Sequence, residues 1–347
     1  MQDTISYGYG DSAWKDLLTS YDGQTLTTDA IGNLTNDGTW SYSWQHGRQL
    51  AQMSKPNGSG TENVNYTYDA AGHRIAKEHE TTGSIDGDSY RYAFTAKYTY
   101  LGDTLTDMQW VEVDGSVSSF HFTYDATGPM SMTFYGTEYF YLKNAQGDVT
   151  GLVDSSGTQV VAYTYDAWGN ILSTTGSMAD GLGYTNPFRY RGYFYDTETG
   201  LYYLGSRYYN PQWGRFVNAD NLVDTEDILG GNLFAYCANN PVNHQDPSGH
   251  SLLGLVAATI AKVAVAAIAA IAVAGLTVAV MNSPSAKKAA NTIANGITKA
   301  YTTVKRRQQR QFLKQEPMFS KRALKKPTKR FDRSLGKIQR IDTGLQL

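Results

Sequence analysis

Between residues 1 and 188, apolar and polar positions alternate with a period near two, which places successive side chains on opposite faces of a β-strand. The stretch 90–115, YRYAFTAKYTYLGDTLTDMQWVEVDG, keeps this alternation and is interrupted by glycine-containing turns. Such a pattern predicts meandering antiparallel strands. Punctuation recurs as Tyr66-Thr67-Tyr68-Asp69 with Gly72, Tyr124-Asp125 with Gly128, Tyr163-Thr164-Tyr165-Asp166 with Gly169, and Tyr193-Phe194-Tyr195-Asp196 with Gly200. Asp29 with Gly32 and Asn33 is a partial copy, and residues 144–148 and 154–157 mark two further turns. The paired tyrosines share one sheet face, and an aspartate followed three or four residues later by glycine suits a type I turn or a bulged hairpin. Each copy therefore reads as a hairpin. Aromatic faces can also stack on sugars, but rings at sheet positions are accounted for by packing. Hairpins recurring in this way imply a quasi-one-dimensional sheet whose units support one another and which is long enough to curl.

Beyond residue 250 the pattern changes. Residues 252–281 are apolar except for Lys262, and 263–281 form an uncharged run of 19 residues, eight of them alanine. That length barely reaches across a bilayer. An apolar helix packed against a hydrophobic interior or a partner is the alternative, although the small residues suit packing between membrane helices. Asn282-Ser283-Pro284-Ser285 ends this element, and Ile293, Ile297, Tyr301 and Val304 fall on one face of a second, basic helix. From Lys305 onward cations recur every two or three residues, with Phe312, Phe319 and Phe331 between them. This balance favours an anionic membrane surface, with nucleic acid as a second choice and a merely solvated tail as the plain reading.

Charge places the boundary at the same point. Residues 1–250 hold 12 Lys+Arg against 29 Asp+Glu, a net of −17, whereas residues 251–347 hold 18 against 3, a net of +15. All six tryptophans and 25 of the 26 tyrosines precede residue 251, which supports strands there. One cysteine, Cys237, leaves no internal disulfide framework, lacks a basic neighbour to make it a thiolate, and reads as a small core residue. The six histidines, at 46, 73, 79, 121, 244 and 250, show no ligand spacing, and no glycine-rich phosphate loop is present, so neither a metal nor another cofactor is implied. Past His250 the chain has no histidine and only Glu316, Asp332 and Asp342 as acids, so a His-metal or carboxylate nuclease is not easily assembled there. A metal-independent ribonuclease built on Lys, Arg and Tyr stays open, without an identifying motif.

The text from 189 to 249, RYRGYFYDTETGLYYLGSRYYNPQWGRFVNADNLVDTEDILGGNLFAYCANNPVNHQDPSG, ends at Asp246-Pro247-Ser248-Gly249, where the composition switches. This stretch resembles the RHS repeat-associated core of bacterial RHS/YD-repeat proteins, in the form common in Gram-positive bacteria, and weaker YD-repeat resemblance extends back to the N-terminus. The resemblance implies a mainly β architecture in which hairpin repeats curl into a partial shell around the protein's own C-terminal segment. It also implies an aspartyl autoprotease: Asp220 and Asp246 as the catalytic pair, and a cleavage region at Gly249, His250 and Ser251 that frees the C-terminal segment. Two carboxylates sharing one proton can serve as base and acid for water attack on a peptide bond. Arg215, in Gly214-Arg215-Phe216, is the nearest cation in sequence that can hold one of them ionised. Two departures stand out: Asn221 where the family's first motif usually has proline, and His250 where leucine is common before the cut. Neither removes a carboxylate. The residues alone leave open that Asp246 starts a turn and Asp220 caps a loop.

The expected layout is a YD-repeat sheet over 1–188, the core over 189–250, an apolar and membrane-spanning or packed helix over 251–284, and a basic variable region over 285–347. The expected function is the C-terminal part of an RHS-family polymorphic toxin, with its own C-terminal segment, an immunity protein and a membrane as partners. Its rivals are a non-enzymatic surface scaffold anchored by the apolar helix and a degenerate cassette with an inactive effector. The first residues, MQDTISYGYGDSAWKDLL, lack the basic and apolar regions of a secretory signal and begin within the repeat pattern, which points to a piece of a longer protein.

Overall fold

In the computed structural model, residues 4–85, 88–221 and 232–250 and the backbone of 253–254 are described. All of them belong to one compact unit, Met1–Ala274. Fourteen strands, from Thr27–Thr28 to Ile171–Thr175, form a single antiparallel sheet in which every strand pairs with its sequence neighbours. The longest hairpin joins Arg74–Ile85 to Asp88–Leu101. The sheet does not close into a barrel, since its two terminal strands are not paired with each other.

One hairpin device recurs at five turns of the meander. At Asp69 the carboxylate accepts the N–H groups of Ala71 and His73 at 2.9 Å each, while Gly72 N–H reaches the Asp69 carbonyl at 3.1 Å. The same pattern holds at Asp29, Asn144, Asp154 and Asp166, each with glycine three residues on. These glycines have φ between 81° and 92°, the left-handed conformation that completes a type I turn with a bulge. The expectation that each copy is a hairpin holds, and the side-chain cap explains why Asp or Asn is required.

Alternation along the strands then fills one face. In Asp88–Leu101, Phe94, Ala96 and Tyr98 are buried while Lys97 and Thr99 are exposed. Residues after the meander cover this face. Leu201, Tyr203, Tyr208, Trp213 and Val217 pack with Leu50, Met53, Val64 and Tyr66, and Phe188 sets its ring edge-on to Phe122 and Tyr141. Removing each such large apolar side chain from water contributes roughly 1.5–3 kcal/mol. A four-stranded sheet, Phe194–Asp196, Leu201–Tyr203, Tyr208–Asn210 and Arg215–Phe216, forms the centre of this covering layer.

Asp196 departs from the repeat pattern. It opens a hairpin as expected, but its glycine lies four residues on, at Gly200, and its carboxylate turns into the core instead of onto its own turn. There it meets Arg74 Nη1 at 2.5 Å and Lys77 Nζ at 3.0 Å, and Lys77 also reaches Glu198 at 2.7 Å. The Arg74 guanidinium lies 4.5 Å from the Tyr203 ring and 4.6 Å from that of Phe194. This group fastens the covering layer to the large sheet.

Leu253–Gly254 is extended and pairs with His244–Gln245. Only the backbone of these two residues of the apolar segment is described. Its remainder, the basic region beyond it and the cleavage-region residue Ser251 lie outside the described residues. Among the described residues, no helix is long and apolar enough to cross a membrane.

Candidate active site

Two pieces of the covering layer and one later stretch of chain converge at the site. Gly205, with φ of 86°, turns the chain between Leu201–Tyr203 and Tyr208–Asn210 and sets Ser206 and Arg207 at the tip. The strand Arg215–Phe216 runs on through Asn218 to Asp220, whose N–H is bound to the Leu233 carbonyl at 2.9 Å. The third piece is Asp246 to His250.

Asp246 is built into a turn of the repeat type. Its Oδ1 accepts the His250 N–H at 3.1 Å, and Gly249, three residues after the aspartate, has φ of 76°. A Cβ on Gly249 would stand 2.6 Å from Ser206 Oγ and 3.1 Å from Arg207 N, so glycine is required by space as well as by conformation. The Asp246 N–H is held by the buried Tyr193 hydroxyl at 3.0 Å. Burial pushes the Tyr193 phenol well above its ordinary value, so it stays a neutral partner.

Arg207 gathers the site. Its Nη2 lies 2.9 Å from Asp220 Oδ2 and 3.5 Å from Asp246 Oδ2. Its Nη1 donates to the Leu233 carbonyl at 2.9 Å, its Nε donates to the Gly249 carbonyl, and its guanidinium stacks on Phe216 at 3.5 Å. Burial works against the charge and Asp220 and Asp246 work for it, leaving a pKa of about 10, so Arg207 is a cation at neutral pH. The remaining Asp220 oxygen meets His250 Nδ1 at 2.8 Å, and the Ser248 carbonyl accepts the Ser206 hydroxyl at 2.6 Å. Asp220 and Asp246 are 7% and 4% exposed.

Both sequence-predicted aspartates and the predicted cleavage-region residues Gly249 and His250 are thus brought together. The predicted cation Arg215 donates instead to the Asp16 carbonyl at 3.1 Å and lies over the Tyr9 ring. Arg207 is the cation that spans the two carboxylates. It was missed because a single arginine between a turn and an aromatic strand carries no spacing signal. Cys237 is buried and its thiol is pushed up to about 12 by burial, in keeping with a core residue. Among the described residues no group of His, Cys, Asp and Glu is arranged to hold a metal.

A cavity of about 360 Å³ adjoins the site, and its wall includes His46, Arg48, Tyr208, Asn218, Arg207 and His250. It brings solvent-sized space to the Arg207 and His250 side of the carboxylate pair.

The Teneurin YD-shell family model matches residues 11–242. A tRNA3(Ser)-specific nuclease WapA of Bacillus spizizenii is 38% identical over 248 residues, which cover 70% of this chain and 10% of that protein. The double-stranded DNA deaminase toxin A of Burkholderia cenocepacia is 29% identical over 260 residues, covering 68% of this chain and 17% of the toxin. Toxin protein Tse5 of Pseudomonas aeruginosa is 40% identical over 81 residues, 22% of this chain and 6% of its own. The chain therefore spans only a small part of the length of these relatives. Among solved structures, that titled TcdB2-TccC3-TEV aligns with a TM-score of 0.54 at 19% identity, over 71% of this chain and 13% of that one, and supports the fold. With the YD-shell match spanning most of the described strands, the chain belongs to the RHS/YD-repeat family of polymorphic toxins.

Proposed function

We propose that this chain is the closing part of an RHS-type toxin, in which residues 189–250 cut the chain beside His250 and free a short basic effector. The carrying observation is that one buried guanidinium bridges Asp220 and Asp246 while also holding the Gly249 carbonyl. Arg207 offsets the repulsion between the two carboxylates, which can then stand close together in a low-dielectric site. The turn hydrogen bonds at Ser248 and His250 fix the backbone leading into the bond to be cut, which supplies positioning. In the cut, a water oxygen adds to the His250 carbonyl carbon and its proton passes to Asp220. The C–N bond to Ser251 then breaks as Asp220 hands that proton to the departing nitrogen, which restores the Asp220 carboxylate and leaves a new carboxyl group and an amine.

A second reading has one specific observation in its favour: Asp246 to His250 repeats the Asp-x-x-Gly turn of the meander, so the Asp-Arg-Asp group can be a clasp alone. Asp220→Asn and Asp246→Asn separate the two. Under the proposal, wild-type protein accumulates fragments ending near His250 and both variants stay whole while still unfolding cooperatively. Under the clasp reading, wild type and variants stay whole alike.

The WapA proteins are matched over only 10% of their length, so their activity says nothing about the residues after 250. The uncharged run at 263–281 and the cations after it fit action at an anionic membrane. Growth arrest on expressing the full chain, lost when the uncharged run is interrupted by Ile268→Asp, supports membrane action. Unchanged arrest in that variant contradicts it.

A further inference from the structure

His250, the residue before the bond to be cut, touches both carboxylates of the site. Its N–H donates to Asp246 Oδ1 at 3.1 Å, and its imidazole Nδ1 lies 2.8 Å from Asp220 Oδ1. The meander holds the same local text with a different outcome. In Asp69-Ala70-Ala71-Gly72-His73 the His73 N–H likewise donates to Asp69 Oδ1, at 2.9 Å, but the His73 Nδ1 folds back onto Asp69 Oδ2 at 3.1 Å. Asn33 and Asn170 hold the same place in two further turns, and their amide nitrogens also fold back onto their own aspartates, at 2.8 and 2.7 Å. In Asp246 to His250 the side chain instead turns to a carboxylate 30 residues earlier, while Arg207 meets Asp246 Oδ2. The turn can therefore form without this contact, and the contact joins the residue to be cut to the group that takes the water proton.

The imidazole is faced by Asp220, by Asp246 of its own turn and, across the cavity they all line, by Arg207, His46 and Arg48. His46 bonds Gln49 Oε1 at 3.0 Å, and Arg48 donates to the carbonyls of Ile31 and Ala219. The phenols of Tyr68, Tyr203 and Tyr208 on the same wall are pushed up by burial and stay neutral at and below neutral pH. The His250 side chain is 29% exposed and lines this space of about 360 Å³, so it exchanges protons with solvent.

We propose that His250 is a positioning residue that acts through Asp220 and makes self-cleavage depend on the charge of its own ring, the cut running when the ring is neutral; the inference rests on the aspartyl reading above. Neutral or charged, Nδ1 can carry a hydrogen to Asp220, so the contact that orients the carboxylate persists. The charge is what changes. A protonated ring sets a second cation on a carboxylate that Arg207 already meets at 2.9 Å, which lowers its affinity for the water proton. Once the ring proton has left to solvent, Asp220 is the stronger base. The cut then proceeds as written above, and the imidazole neither gains nor loses a proton during it.

The test uses the full chain and follows cleavage as a first-order rate by intact-mass spectrometry, with the unfolding midpoint measured at each pH. The wild-type rate is expected to rise about tenfold or more from about pH 5 to 8, the range in which imidazoles change charge. His250→Asn keeps an amide nitrogen to orient Asp220 and cannot be charged, so it should cut at a rate independent of pH over this range. His250→Leu has no polar atom there and should be equally flat but slower. His46→Asn should keep the wild-type rise. A flat wild-type profile, a rise that survives in His250→Asn or is lost in His46→Asn, or a leucine variant as fast as the asparagine one overturns the inference. So does loss of cutting in both His250 variants while they still unfold cooperatively, since the ring would then be needed for more than its charge. If any of these occurs while Asp220→Asn is inert, the inference fails and the aspartyl reading stands. A wild type uncut at every pH overturns both.

Discussion

Replacing Asp196 with asparagine removes the one carboxylate shared by Arg74 and Lys77 in the core. Both cations are buried, with side-chain exposures of 1% and 4%. Lys77 keeps Glu198 at 2.7 Å, but Arg74 keeps only the Tyr208 hydroxyl at 3.3 Å and the rings around it. Breaking a buried pair from one side costs about 3–5 kcal/mol, and the aromatic cage around Arg74 places this case near the lower end. For a unit of this size each kcal/mol moves the midpoint by about 2–4 °C, so a fall of roughly 6–12 °C is expected by calorimetry at pH 7. The pH dependence has a definite sign. Burial raises the Asp196 carboxyl, but Arg74 and Lys77 outweigh it and hold the folded value below the ordinary one. The contribution is therefore complete above the unfolded value, about 4, and is lost as pH falls through the lower folded value. The gap between wild type and Asp196→Asn should stay constant from pH 7 to about 5 and narrow only in stronger acid. A midpoint within about 2 °C of wild type at pH 7 would show that the buried group does not fasten the layers.

Other outcomes follow from the same geometry. Gly249→Ala puts a Cβ 2.6 Å from Ser206 Oγ at a left-handed position, so the turn should open at a cost of about 1–2 kcal/mol in urea unfolding, with loss of cleavage. Tyr193→Phe strips the acceptor from the buried Asp246 N–H and should cost about 1–3 kcal/mol by the same measurement while slowing cleavage. The full chain should bind anionic vesicles; binding that survives high salt and is lost in Ile268→Asp marks insertion, and binding abolished by salt alone marks a peripheral patch.

The hairpins were legible because their signal is local. Asp69, Asp154 and Asp166 cap their own turns, and glycine three residues on supplies the required φ. Asp196 has the same neighbours in sequence, and only the extra residue before Gly200 distinguishes it, so its role in the core was missed. The pairing of Asp220 with Asp246 came from family resemblance, since spacing says nothing about two loops 26 residues apart. Arg207 had no sequence signal at all. Its role depends on the two carboxylates that the folded chain places opposite it. Proximity in sequence selected Arg215 instead, and tertiary packing turns that residue toward Asp16.

The most direct test is an intact-mass time course of the purified wild-type chain at neutral pH, with Asp220→Asn beside it. Self-cleavage at the Arg207 site predicts that the full-length mass gives way to two fragments meeting at His250, whose masses add up to the intact mass plus one water, while Asp220→Asn keeps a single mass. A wild-type chain that holds one unchanged mass throughout, or one that is cut equally in Asp220→Asn, contradicts the assignment of Asp220 and Asp246 as a cutting pair.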